Sequence, residues 1–339
     1  NTSDTTHWSA SSGGAGGASV PTPGEDVIFD QVGTYSVSVP LAVSCNDFTI
    51  SAGVVSFNVP SFSFDIFIYG SMLIASGTIG SWSTSLGIIF SATTSKTITT
   101  NNINIGRIEL DGVGGTWTLG SAFTSTNVNG AIILTNGTFS TSSSNYAANC
   151  RIFNSSNSNT RTLNLNASTY TLTSTGWTCT TSTNLTVLGS GATVTTTSGS
   201  AKTFAGGGAN WGAITLNQGG AGRLTISGSN TFANISNSYN ATGATSIRFT
   251  SGTTQTVSNF TAAGTSGKIL TIDSSTPATA ATLSQASGTV SVDYMSLQDS
   301  TATGGATWYA GANSTNVSGN TGWVFTAPPS GSSNFFLLM

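Results

Sequence analysis

Apolar and hydroxyl-bearing residues alternate along most of this chain in runs of three to five, with Gly or Asn between runs. Asp26-Val27-Ile28-Phe29-Asp30 is the first clear run. Tyr35-Ser36-Val37-Ser38-Val39 follows at a strict period of two, then Phe48-Thr49-Ile50, Gly53 and Val54-Val55-Ser56-Phe57. The same signal returns at Ile132-Ile133-Leu134, Thr162-Leu163-Asn164-Leu165, Leu224-Thr225-Ile226 and Ile269-Leu270-Thr271-Ile272. Period-two alternation in short runs bounded by turn residues predicts β-strands. Ahead of the first strand, His7-Trp8, the glycines from Gly13 to Gly17, Pro21, Pro23 and Gly24 predict a loop.

The runs also repeat. An apolar residue, a polar stretch, a basic or amide residue, Thr and another apolar residue recur from Phe90 to Lys96-Thr97-Ile98, Phe153 to Arg161-Thr162-Leu163, Val194 to Lys202-Thr203-Phe204, and Phe249 to Gln255-Thr256-Val257. The first and third copies extend further. Ile108-Glu109-Leu110-Asp111, Trp117-Thr118-Leu119 and Phe123 parallel Ile214-Thr215-Leu216-Asn217, Leu224-Thr225-Ile226 and Phe232. Irregular repeats of short strands suit a solenoid, in which each coil has only to match its neighbours. The prediction is an all-β, elongated parallel β-solenoid with capped ends. Coils of about 20 to 25 residues stacked at about 4.8 Å would give about 14 turns and a rod of about 65 Å. Coil lengths are too uneven to predict its handedness. The alternative is a string of tandem β-sandwich domains. Against it, the strands are short and no composition shift precedes residue 326.

Composition sharpens this picture. Ser and Thr make up 112 of 339 residues, and only 19 residues are charged. Glu, Lys, Arg, Gln and Met together number 18, so the side chains that lose least entropy in a helix are nearly missing. Eight basic residues spread along the chain cannot build a phosphate-neutralising patch, which excludes nucleic-acid binding. No apolar run of 18 residues occurs, so no membrane-spanning helix is predicted. A 37% hydrophobic content supplies a core and argues against disorder. Stacked coils also make low charge a structural requirement, because like charges repeated every 4.8 Å or so repel.

Four regions follow: an N-terminal loop and cap coils at 1–60, a solenoid body at 61–272, aromatic-rich C-terminal cap coils at 273–325, and a linker with an apolar tail at 326–339. The tail ends in Phe335, Phe336, Leu337, Leu338 and Met339 after a Pro/Gly/Ser linker. Such a tail is expected to pack on a neighbouring subunit or another protein. Asn1 in place of Met suggests a processed chain or a segment of a longer one, and no signal peptide is visible in it.

The acids are unevenly placed. Eight precede residue 112, none lies between 112 and 272, and Asp273, Asp293 and Asp299 follow. Net charge is therefore −6 over 1–111, +6 over 112–272 and −3 over the rest. Staggered side-by-side association of rods, weakened by salt, is expected from that pattern. It also bars paired-carboxylate chemistry from the middle. Arg107, Glu109 and Asp111 alternate with Ile108 and Leu110, so a strand would bring them to one face, with Glu109 and Asp111 as the candidate acid/base pair. The competing reading is a solvent face on which Arg107 pairs with its acidic neighbours. Asp293 and Asp299 form a weaker group, read as a cap. Cys45, Cys150 and Cys179 lack metal-ligand spacing and read as buried apolar residues, and a single histidine, His7, builds no triad or metal site. No metal and no cofactor is expected. The glycine runs lack the Lys-Ser/Thr of a phosphate loop and read as turns. The ten Asn-x-Ser/Thr sequons are what composition alone would produce.

Trp8, the glycine run, Pro21 and Asp26 to Asp30, together with Asp293-Tyr294 and Gly322-Trp323-Val324-Phe325, resemble the β-helical surface proteins of tailed phages and metagenomic viruses, of the tail-fibre, tailspike or capsid-decoration type. The resemblance covers most of the chain in style and is specific at the two ends. It carries over no catalytic residue. It implies a non-enzymatic structural role in many copies on a virion surface or in the extracellular space, as a trimer or other repeating homo-oligomer beside other virion or surface proteins. Host glycans are the candidate ligand, with Trp8, Trp308, Tyr309 and Trp323 as candidate stacking residues. Two alternatives stand beside this reading: a bacterial or archaeal adhesin or self-assembling fibre subunit, and a polysaccharide-degrading β-helix enzyme.

Overall fold

A computed structural model describes residues 4–39, 41–58, 65–75 and 77–329. Within them the chain is all-β, apart from single 3-10 turns at Thr5–His7 and Tyr239–Ala241. The strands wind into a parallel β-solenoid of about 13 turns. The strand offset from one turn to the next runs from 15 residues at Trp308↔Trp323 to 28 at Thr254↔Thr282.

Each turn has three sides. The first side begins with Val27–Phe29, the second with Thr34–Ser38 and the third with Val43–Cys45. The first side stacks eight strands in one sheet, from Val27–Phe29 to Leu185–Leu188. Beyond it, further first-side segments pair at Asn210↔Thr231, Thr231↔Thr256, Thr254↔Thr282 and Thr282↔Thr301. The third side runs from Val43–Cys45 to Thr315–Ser318. In places one strand turns the corner between sides, as Thr169–Thr178 does by pairing with two different strands of the next turn.

The alternation in the sequence becomes the inside and outside of the coil. Ile88, Ile108 and Ile132 stack in register on the third side, fully or almost fully buried. Farther along, Phe153, Trp177 and Phe204 occupy one register column. Phe153 stacks on Trp177 at 4.0 Å between centroids and Trp177 on Phe204 at 5.6 Å, while Trp211 meets Trp177 and Phe204 edge-on at 5.5 Å. Aromatic rings suit this column because their faces cover the gap between turns.

Corners need left-handed backbone. Asn145, Asn166 and Asn184 supply it at φ 57°, 47° and 55°, since Asn tolerates this region better than other non-Gly residues. Their amides also knit the turns together: Asn145 Oδ1 accepts from Ala167 N at 2.9 Å, and Asn184 Nδ2 donates to Ser158 O at 2.9 Å. At Gly137, φ is +71° and an added Cβ would lie 2.5 Å from Gly115 O, so only glycine fits.

The repeated basic or amide position has a structural task. Arg161 is 1% exposed and donates to Asn159 O at 3.0 Å, to Thr183 O at 2.8 Å and to Ser155 O. Lys202 Nζ donates to Ser198 O at 3.0 Å and Gly222 O at 2.6 Å, and Gln255 Nε2 donates to Gly228 O at 2.8 Å. Each is a long buried donor that satisfies turn carbonyls of its own and adjacent coils, which would otherwise be stranded. The copies are not equivalent in space, however. Lys96, Arg161 and Gln255 lie on the first side and Lys202 on the third. The longer match between copies one and three is likewise shifted by one side throughout, which a three-sided coil permits because each side alternates in the same way.

Candidate functional site

The carboxylates predicted to matter lie on the outer surface of the third side. Ile108–Leu110 is the strand, flanked by Arg107 and by Asp111, which sits just past its end. Arg107 Nη2 bonds Asp65 Oδ1 at 2.6 Å and Arg107 Nη1 lies 3.6 Å from Glu109 Oε2. Thr135 Oγ1 donates to Glu109 Oε1 at 2.7 Å, and Asn136 Nδ2 donates to Asp111 Oδ1 at 2.8 Å. Arg107 thus pairs with acidic neighbours on a flat, partly exposed face.

Asp65 is the residue that the sequence reading missed. It pairs in register with Gly87, and Ile88 pairs with Ile108, so Asp65, Gly87 and Arg107 form one column across three turns. Gly87 makes the ion pair possible. A Cβ there would lie 2.3 Å from Asp65 Oδ1 and 2.9 Å from Arg107 Nη2, so any larger residue would occupy the bridge. Spacings of 22 and 20 residues, close to one coil each, were the available signal.

The other charged pair, Arg248 with Asp273, lies in adjacent turns of the same side, where Arg248 Nε donates to Asp273 Oδ1 at 2.9 Å. The bond to Asp273 raises the pKa of Arg248. Asp293 accepts from Tyr294 N and Asn313 N, both at 2.9 Å, and from Asn313 Nδ2 at 2.7 Å, while Asp299 Oδ2 accepts from Ala278 N at 3.0 Å. Burial opposes ionisation of Asp293, and these bonds outweigh it, so its pKa falls below the usual carboxylate value. Both acids tie corners of the last turns. His7 Nδ1 lies 3.3 Å from Asp4 Oδ2, with both side chains well exposed. Among the described residues no cluster of three or more His, Cys, Asp and Glu could hold a metal ion, and no helix is long and apolar enough to cross a membrane.

The four aromatic candidates are not gathered at one place. Trp308 and Trp323 are buried in the last turns, meeting edge-on at 5.1 Å with Phe260 against both. Their indole nitrogens donate to Thr303 O at 3.0 Å and Ser300 Oγ at 3.1 Å. Their faces are covered by protein, whereas Tyr309 beside them keeps partial exposure. Trp8 sits at the opposite end, packed against the core at a small cleft lined by Val27, Phe29, Val39 and Phe48. Phe335, Phe336, Leu337, Leu338 and Met339 lie outside the described residues.

The three thiols are free and buried. Burial pushes Cys45 and Cys150 up to about 12 and Cys179 up to about 11, so none is a nucleophile near neutral pH. No known protein family matches this chain, and neither the curated proteins nor the solved structures compared with it include a match.

Proposed function

We propose that this chain is a non-enzymatic structural rod displayed in many copies on a virion surface, of the tail-fibre, spike or capsid-decoration kind, assembled as a homo-oligomer and open to host glycans on its outer faces. The solenoid suits such a role, since a stiff rod projects surface far from its attachment point. The observation that favours display over catalysis is the state of the carboxylates. Ten of the eleven already accept hydrogen bonds from the chain itself, all but Asp30. An acid/base pair needs one carboxyl free to trade a proton with substrate.

Immunogold electron microscopy of virion and cell fractions from the source culture tests this reading. Label concentrated on particles is the expected result. Label on cell envelopes or free filaments would instead support the adhesin or fibre reading. Purified protein is also expected to leave bacterial polysaccharides uncleaved. Depolymerisation that disappears in the Glu109→Gln, Asp111→Asn double variant would establish the enzyme reading in its place.

A further inference from the structure

The outer surface of the first side differs from the other two in a way the display role does not require. From strand Ser95–Thr99 onward its outward positions form two columns. One runs Ser95, Thr116, Thr138, Thr162, Thr186, and the other Thr97, Thr118, Ser140, Asn164, Leu188. Register is unbroken across these five strands. Farther along the same side the pattern resumes as Thr231, Thr256, Ser284, Thr303 beside Thr254, Thr282, Thr301.

Three properties set this surface apart. First, it is a lattice: strand geometry repeats its positions at about 4.8 Å along the rod and at about 6.7 Å along each strand. Second, it carries no charge at any of these positions, while the outer surface of the third side carries the Asp65–Arg107–Glu109 and Arg248–Asp273 groups. Third, most of its hydroxyls are unused, the exceptions being the buried Ser140, which accepts from Ser142 N, Thr301, which accepts from Thr321, and Thr303, which donates to Leu283 O. Thr116, Thr118, Thr138, Thr162 and Thr186 make no side-chain hydrogen bond to protein, and neither do Thr231, Thr254, Thr256, Thr282 and Ser284. On the second side, by contrast, Asn217 Nδ2 donates to Thr195 Oγ1 and Asn217 Oδ1 accepts from Ser236 Oγ, and the register shifts at Val55/Ser56.

A neutral array made mostly of hydroxyls, each able to donate and to accept a hydrogen bond and most with a methyl beside it, is complementary to a surface of the same chemistry and period. Ordered water has that chemistry, and the oxygen spacings on faces of hexagonal ice lie close to both repeats of the array. The methyls restrict the orientation of the water above them, and hydroxyls that hold water at this spacing present a layer with the repeat of an ice face. We propose that the first side is an ice-binding face. The assignment is independent of whether the rod is carried on a virion or on a cell.

The test is partitioning into slowly grown ice, read together with inhibition of ice recrystallisation. Wild-type protein is expected to enter the ice fraction at least tenfold above an inert protein of similar size. Thr138→Lys and Thr282→Lys each place a charged chain in the array and are expected to remove that enrichment, with unchanged far-ultraviolet circular dichroism and melting temperature. Thr203→Lys, at an exposed position on the third side, should leave it intact. Exclusion of the wild-type protein from ice would overturn the proposal. Equal loss in Thr203→Lys, or full retention in both first-side variants, would overturn it as well.

Discussion

Trp177→Ala is expected to lower the stability of the rod by about 3–5 kcal/mol, the range for removing a fully buried large aromatic residue. The indole is sandwiched in register between Phe153 and Phe204, with Trp211 and Tyr170 against its edges. Its loss opens a hole bounded by rigid turns above and below, which cannot close without shifting the register of the whole coil. Trp177→Phe is the informative companion. It keeps the stack and removes an indole N–H that has no hydrogen-bond partner, so its cost should stay below about 1.5 kcal/mol. Urea unfolding of the two variants checks both figures. Equal effects would mean that the ring stack contributes little.

Stability is expected to rise slightly with pH up to about 8.5 and to fall beyond it. Burial pulls Lys202 down to about 8 from an ordinary 10.5. Between those values the unfolded chain holds a proton that the folded chain has lost, so folding gains as pH rises. The thiols act in the opposite direction. Their folded values of about 12, 12 and 11 stand above the ordinary 9, so above pH 9 the unfolded chain gives up protons that the folded chain retains. Each thiol then removes about 1.4 kcal/mol per pH unit, and three outweigh one lysine. Burial raises Tyr170 as well, which steepens the fall above pH 10. Denaturation midpoints at half-unit steps from pH 7 to 11 should trace a shallow maximum near 8.5 and a steep fall above it. Lys202→Met should flatten the rising limb, and Cys150→Ala should soften the falling one. A flat profile would contradict the burial of all four groups.

The local character of the fold was legible because a solenoid is built from local rules. Alternation at Thr162-Leu163-Asn164 or Leu224-Thr225-Ile226 places the same residues inside and outside that the coil does. Burial of the three thiols could be read from their lack of partners, and the pairing of Arg107 from its acidic neighbours. Register was not legible. Turn lengths vary with the corners, so no fixed period revealed that Asp65 reaches Arg107 across Gly87. Nor did one show that Lys202 lies on a different side from Lys96 and Arg161. A basic residue in a Ser/Thr-rich stretch looks like surface, yet Arg161 and Lys202 are buried because turn carbonyls, rather than acids, accept their hydrogen bonds. The aromatic candidates were ambiguous for a related reason: a tryptophan that closes a coil and one that stacks on a sugar occupy similar sequence. Trp308 and Trp323 are interior here, while Tyr309, between them in sequence, faces partly outward.

Within the described residues one coil runs from Val27 to Val324, with its outward Arg–carboxylate pairs on the third side and its hydroxyl array on the first. Small-angle X-ray scattering in solution distinguishes this arrangement from separate domains. Thirteen strands on the third side, at about 4.8 Å each, predict a single stiff body with a long axis of about 60 Å for its β-sheet region. Side-by-side association would thicken the cross-section and leave that axis unchanged. Scattering from several compact units of about 100 residues joined by linkers, the signature of tandem sandwich domains, would contradict it.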